Sequence, residues 1–364
     1  MPHVFQEKAM SRQTTVTITD VAREAGVALG SVSNAFNHPD KMRPETLKRI
    51  REAADRLGYA PNQSARMLAG GKNRLFGLIL PNLDHGVSLQ IANGANAEAR
   101  KHGYGLLIAT AQTDEDVAHR YRDYFIGTQT AGILMQPPAS TDWQPPAHPP
   151  RIPLAFLDIQ CDVPGHFVAA DNFALGELLA RHAFKSGAQR VAIIGKPSLN
   201  RLVLRVKGMK HAFTTESDCA FEVVEEGAWN SAHDGLDLGR QLAERPENTR
   251  PDFIIALTDT LATGAISGVR AAGLRVPGDI RVAGCDGNPL AWTGPVPLTT
   301  IAPIGYELGR RGVRQLIAQI EEGPEHEPEN HQELVRPFLL ARASTGMNRS
   351  DDFADPDIDI SGYL

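Results

Sequence analysis

From Thr17 to Gly58 the apolar positions recur at helical spacing in three short bursts. Val21, Ala22 and Ala25 line one face of the first. The stretch Thr17-Ile-Thr-Asp20 opens it with a hydroxyl and, three residues on, an acid, the pattern of a capping box. Gly26 ends that helix; a second is predicted from about Ala28 to Phe36, and a third from Pro44, a favoured first helical position, to Gly58. Two helices joined by a tight glycine-containing turn, with a third over their core, make a helix-turn-helix. From Leu75 the texture changes. LFGLIL (75–80), YGLLIAT (104–110), AGILMQ (131–136) and PLAFLD (153–158) read as strands with helical segments between the first few. After FVAAD (167–171) the pattern repeats in RVAIIG (190–195), FEVVEEG (221–227), DFIIAL (252–257) and IRVAGC (280–285). Such alternation argues for parallel sheets covered by helices on both faces, and two cycles predict two similar lobes. PPASTDWQPPAHPP (137–150) reads as a surface excursion, since proline neither donates to a ladder nor continues a helix.

At 364 residues, 42% hydrophobic and 22% charged, the chain is of ordinary globular composition and long enough for two or three domains, which excludes a disordered or fibrous class. No run approaches the roughly 18 apolar residues of a membrane span, and the first residues lack the pattern of a secretory leader, so a cytoplasmic protein with no membrane partner is expected. Cys161, Cys219 and Cys285 lie far apart without metal-ligand spacing, which suits free thiols in a reducing compartment. Charge is uneven. Between Thr17 and Arg74 ten basic residues face six acidic ones, leaving +4 there and −10 elsewhere in a chain whose net charge is −6. A basic head on an acidic body suggests a polyanionic partner for the head alone.

Catalytic signatures are missing. AGGKN lacks the upstream glycine and the Ser/Thr of a phosphate-binding loop, no strand is followed by G-x-G-x-x-G, and there is no G-x-S-x-G elbow. His326-Glu327 with His331 has one residue too many for a zinc helix. An enzyme is therefore not expected, and no cofactor or metal is called for. In a helix-turn-helix the second helix enters the major groove, and Ala22, Gly26 and Val32 stand where that motif needs a small residue, a turn glycine and a core apolar group.

TITDVAREAGVALGSVSNAFN (17–37) and RPETLKRIREAADRLGYAPNQSARMLA (43–69) resemble the head of lactose-repressor-type (LacI/GalR) transcription regulators. The likeness continues through FLD at 156–158, Arg205-Val-Lys-Gly208, Gly227-Ala-Trp229, Thr258-Asp259, Gly284-Cys-Asp286, PLTTIAP at 297–303 and RAST at 342–345. The resemblance implies an all-α helix-turn-helix head on an α/β core like the periplasmic binding proteins, with two doubly wound parallel-sheet lobes. It divides the chain into a disordered tail (1–16), the head (17–61), a hinge helix and linker (62–73), and an effector-binding and dimerisation core (74–346), followed by an acidic tail (347–364). Within the core, lobe 1 takes about 74–170 and 303–333, and lobe 2 about 171–302 and 334–346. The tail has no heptad pattern, so a homodimer on a palindromic double-stranded operator is expected rather than a tetramer.

By the same resemblance Leu29, Gly30 and Asn34 occupy base-reading positions, with an apolar contact from Leu29 and an adenine pairing from Asn34. Ser31, Ser33, Asn37, Thr46, Tyr59 and Asn62 would hold the backbone. Ala28 replaces the usual serine that caps the recognition helix, and Arg43 stands where a small hydroxyl residue is common, offering a phosphate contact. The segment matching Asn62 to Ala69 would form a hinge helix on DNA. Ala65 would let two such helices approach, and Leu68 would wedge into the minor groove. In the core, Asp158, Arg205, Trp229, Thr258 and Asp286 would line the effector cleft, with His85 and Ser88 in place of the segment that supplies an aromatic wall in sugar-responsive members. Asp259 reads as the N-cap of the helix that follows. A repressor controlled by a sugar, polyol or derivative is the first expectation; a corepressor-dependent regulator answering to a non-sugar metabolite such as a nucleobase is the alternative.

Overall fold

A computed structural model describes residues 16–60, 73–83, 86–112, 114–137, 143–146, 151–225, 230–288, 291, 294, 296–301, 304–323 and 330–346. The chain divides into two compact units, Met1–Asn73 and Arg74–Leu364. In the first, α1 (Ile18–Ala25), α2 (Leu29–Asn37) and α3 (Pro44–Leu57) enclose a small core with Val21, Val32 and Ile50 fully buried. The expected capping box is closed: Thr17 N donates to the Asp20 carboxylate at 2.9 Å, and Asp20 N donates to Thr17 Oγ1 at 3.4 Å. Gly26 sits at φ 62°, ψ 42°, the left-handed conformation that turns α1 into α2 at no steric cost. Ala28 caps α2 with no side-chain acceptor, as the sequence implies.

The second unit opens with β1 (Leu75–Leu80), α4 (Gly86–Lys101), β2 (Gly105–Thr110), α5 (Glu115–Gly127), β3 (Gly132–Met135), β4 (Leu154–Leu157) and β5 (Gly165–Ala170). It continues through α6 (Asn172–Lys185), β6 (Arg190–Ile194), α7 (Asn200–Glu216), β7 (Ala220–Val224), α8 (Ala232–Ala243), β8 (Phe253–Ala256), α9 (Asp259–Ala271) and β9 (Arg281–Ala283). Last come β10 (Thr300–Ile301), α10 (Ile304–Glu322), β11 (Asn330–Val335) and β12 (Leu339–Leu340). The strands form two all-parallel sheets, ordered β11-β5-β4-β3-β1-β2 and β7-β6-β8-β9, beside an antiparallel pair β10-β12. The chain leaves the first sheet after β5, returns to it after β10 and leaves it again after β11 for the β10-β12 pair, which an isolated parallel bridge from Ala283 of β9 to Thr299 joins to the second sheet. Parallel sheets bury both faces, which is why their strands read as unbroken apolar runs. One apolar cluster draws on both sheets, joining Leu78, Leu134 and Val168 to Ile193, Phe253 and Ile255.

The covering helices pack in pairs, and small residues set their spacing. A Cβ placed on Gly208 of α7 would lie 2.0 Å from the Phe173 carbonyl oxygen of α6, and one on Gly264 of α9 would lie 2.0 Å from that of Ala232 in α8. Gly94 of α4 meets the Tyr306 carbonyl of α10 at the same 2.0 Å. In each pair backbone rests on backbone, so only glycine fits. α4 and α10 are also joined by a buried ion network: Arg310 contacts Glu98 at 3.3 Å and Glu307 at 2.6 Å, and Arg314 reaches Glu98 at 2.9 Å. No described helix is long and apolar enough to cross a membrane.

Candidate functional site

The head presents a surface built on the first turns of α2. Ala28, Leu29, Gly30 and Asn34 are exposed, Leu29 by 50%, although Val32 and Ala35 of the same helix are buried. Asn37 is exposed and donates to Ser33 Oγ at 3.2 Å, while Ser31 and Ser33 are half-buried. Arg43 is exposed at the start of α3, with Thr46 half-buried one turn on. Tyr59 is half-buried with its ring 5.8 Å from that of Phe36, so part of the side chain braces the fold. Basic residues fall into two groups. Arg23, Lys48 and Arg56 have carboxylate partners in Asp20, Glu52 and Glu24. Lys41, Arg43, Arg49 and Arg51 have none among the described residues. Asn62, Ala65 and Leu68 lie outside the described residues.

In the core a small open cleft, with a cavity volume of about 50 Å³, lies at the carboxyl ends of β3 and β4, the position where open α/β sheets take ligands. Asp158, directly after β4, lines it in a left-handed backbone conformation (φ 62°), which a short polar side chain tolerates. Its Oδ2 accepts from Gln136 Nε2 at 3.1 Å, and Gln136 Oε1 accepts from Ser88 Oγ at 3.1 Å, so Ser88 reaches the cleft through a relay. Arg201, in the first turn of α7, also lines the cleft, with its Nε 3.4 Å from Asp158 Oδ2.

Arg205 lies one turn further along α7 and turns inward. Its Nε donates to Asn172 Oδ1 at 2.9 Å, and its Nη1 donates to the Leu257 carbonyl at 2.9 Å and to Asp286 Oδ1 at 2.9 Å. Burial on its own disfavours the guanidinium charge, but Asp286 beside it outweighs that cost and holds the pKa above the ordinary arginine value. Asp286 Oδ2 in turn accepts from Asp259 N at 3.2 Å. The Asp259 carboxylate gathers the loop after β9, accepting from Asp286 N, Asn288 N and Thr300 Oγ1 at 3.1, 2.7 and 2.6 Å. Burial, and then the Asp286 charge, push Asp259 up to about 6. From α4, Gln90 Nε2 donates to the Asp286 and Gly287 carbonyls at 3.3 and 3.0 Å.

Of the residues expected at the cleft, Asp158 lines it, and Ser88 connects to it. Arg205 and Asp286 form a buried pair that does not line it, and Thr258 is occupied otherwise. The cap reading needs correction. Thr258, not Asp259, is the N-cap of α9, because its Oγ1 accepts from Leu261 N at 3.1 Å; Asp259 falls one residue inside the helix, where its carboxylate is free to gather the neighbouring loop. His85 and Trp229 lie outside the described residues. Sequence reasoning missed Arg201, Gln136 and Asn172. Arg201 carried a signal, since it precedes Arg205 by four residues and so shares its helix face nearer the strand ends.

Comparison with known proteins agrees with this architecture. Residues 17–62 match the family described as bacterial regulatory proteins, lacI family, and residues 180–345 match the periplasmic binding protein-like domain. The chain is 27% identical to catabolite control protein A of Priestia megaterium over 309 residues, covering 83% of this chain and 91% of that protein. It is 26% identical to the HTH-type transcriptional repressor CytR of Escherichia coli strain K12 over 330 residues, covering 86% and 92%. It is 28% identical to the ribose operon repressor of Bacillus subtilis strain 168 over 312 residues, covering 85% and 93%. Its fold matches that of the lac repressor dimer bound to operator and the anti-inducer ONPF with a TM-score of 0.74 and 24% identity, over 91% of this chain and 99% of that one. With a lacI-family helix-turn-helix domain at residues 17–62, a periplasmic-binding-protein-like domain at 180–345 and transcriptional repressors among its relatives across nearly their whole length, the chain has the domain composition of lacI-type transcriptional regulators and is similar to them.

Proposed function

We propose that the protein is a homodimeric repressor that places one head on each half of a palindromic operator, and whose operator affinity is set by a sugar or sugar derivative held in the core cleft. The observation that carries the DNA reading is the exposed Leu29 beside Asn34 on a helix whose other face is buried, with Lys41, Arg43, Arg49 and Arg51 unengaged by carboxylates among the described residues. Phosphates supply affinity to such a surface, and the two α2 side chains supply sequence preference. In this reading Ser31, Ser33, Asn37, Thr46, Tyr59 and Asn62 position the backbone, Leu68 wedges the operator centre, and Ala65 permits the paired hinges to meet.

Dimerisation is supported by apolar surface along one edge of the first sheet. Leu107 and Ile108 on the edge strand β2, Leu83 after β1, Leu89 on α4 and Tyr124 on α5 are all exposed. Ligand control is supported by the polar cleft and by the hydrogen bonds from Gln90 of α4 to the loop after β9, which tie one lobe to the other. Operator binding measured by fluorescence anisotropy at fixed salt, on DNA from around the protein's own gene and across a panel of sugars, polyols and nucleobases, tests the reading. Palindrome binding relieved by one polyhydroxy compound is the expected result. Absence of specific binding with and without every compound overturns it, and tightening by a nucleobase transfers the assignment to a corepressor mechanism.

A further inference from the structure

Two arginines of α7 sit one turn apart, and their surroundings differ. Arg205 has its side chain 5% exposed, bonded to Asn172, Leu257 and Asp286. Arg201 is 29% exposed at the cleft, and its one ionic contact among the described residues is the Nε edge leaning on Asp158 at 3.4 Å. A guanidinium offers two hydrogen-bonding edges, one through Nε and one through the paired Nη groups. The second edge of Arg201 has no partner among the described residues. Asp158 supplies the complementary feature: its side chain is only 5% exposed, and its Oδ1 has no hydrogen-bond partner among the described residues, while Oδ2 is occupied by Gln136 and Arg201.

We infer that Arg201 is the specificity-determining residue of the cleft and that the effector is a polyhydroxylated anion, its carboxylate or phosphate seated on the Nη edge of Arg201 and a hydroxyl donating to Asp158 Oδ1. The inference rests on the cleft being the effector site. A carboxylate or phosphate matches the planar fork with two parallel charge-assisted hydrogen bonds, which a neutral hydroxyl cannot do. The same pole is favoured by the first turn of α7: Leu199 takes the cap position with no side-chain acceptor, so the backbone donors beside Arg201 present the positive end of a 17-residue helix. The other charges nearby are already matched, Arg205 by Asp286. Leu199 and Leu204 supply the apolar wall for the carbon face of the ligand.

Calorimetric titration of the full-length protein with gluconate, galacturonate, glucose 6-phosphate, glucose and glucitol tests the inference and separates carboxylate from phosphate. The expected result is that at least one anion binds while the matched neutral compounds bind more weakly. Arg201→Ala should weaken that anion about tenfold or more, with Arg201→Lys in between because an ammonium presents no fork. Affinity for the anion should also fall as salt is raised. An unshifted thermal transition checks that Arg201→Ala is folded. Neutral compounds binding as tightly as their anionic counterparts, an anion whose affinity is indifferent to Arg201→Ala, or no anion binding at millimolar concentration each overturns the inference. Operator binding, measured separately, fails only if the regulator reading itself is wrong.

Discussion

In the proposed reading Leu29 and Asn34 carry the side chains that read bases, because Gly30 between them carries none. Asn34→Ala should therefore cost about 1–3 kcal/mol of operator affinity and relax preference at one adenine, read by competition with operators changed at single positions. Arg43→Ala should act differently, weakening all sequences alike and lowering the salt slope of binding by about one ion. Arg205 illustrates how burial changes an expectation: with Asp286 at 2.9 Å and both side chains under a tenth exposed, Arg205→Ala leaves a buried carboxylate uncompensated. A loss of about 3–5 kcal/mol in urea unfolding is expected for the core, so its effect on ligand response is inseparable from its effect on folding. The family resemblance pointed to Arg205, which is buried against Asp286; the exposed Arg201 a turn earlier became visible only with the contacts of each.

At the scale of elements, glycine means different things in different helices. Gly264 lies where α9 touches α8, and a methyl group there would meet a carbonyl oxygen at 2.0 Å, so Gly264→Ala should destabilise the core by about 1–3 kcal/mol or more as the helices are forced apart. Gly30 in α2 has nothing within 4 Å of where its Cβ would stand. Gly30→Ala should stabilise the head by about 0.5–1 kcal/mol through helix propensity. Thermal unfolding of the two variants checks both signs. Strands, capping box and turn glycine were legible in the sequence because each is a local pattern: apolar runs for parallel strands, hydroxyl and acid three apart, glycine where φ is positive. The helix pairings were not, since a glycine inside a helical stretch reads simply as a weak helix former until its neighbour's backbone is seen. The role of Asp259 was hidden for the same reason. Its position beside Thr258 suggested a cap, whereas its partners Asn288 and Thr300 come from far along the chain.

For the molecule as a whole, separate cores imply separate stabilities. The head's cluster around Val21, Val32 and Ile50 shares no residue with the clusters of the second unit, so calorimetry should resolve more than one unfolding transition. Among the buried core groups whose titration is shifted, two act with opposite sign. His182, hydrogen-bonded to Thr345 Oγ1 at 3.0 Å, is pushed from 6.5 down to about 4 by burial and then by Arg281. As pH falls through that window the unfolded chain takes up a proton that the folded one refuses, which removes about 3 kcal/mol of stability. Asp259, raised from 3.8 to about 6, does the reverse: its folded form gains the proton first, so its contribution improves as pH falls. His182→Asn should therefore flatten the acid side of the stability curve relative to the unmutated protein, measured by urea unfolding from neutral pH downward.

The glycine contacts between paired helices limit how the core can move. Where one backbone is seated against a carbonyl of the next, as at Gly94, Gly208 and Gly264, a helix cannot slide along its partner without lifting out of contact. Shear within a lobe is thereby blocked, and each lobe is rigid with respect to itself. Any rearrangement that carries a signal must then be a hinge motion, concentrated in the three crossings after β5, β10 and β11 and in the Gln90 hydrogen bonds that span the lobes. A molecule bound at the cleft, in the proposed reading, would act on the angle between the two lobes rather than on the helix packing inside either one.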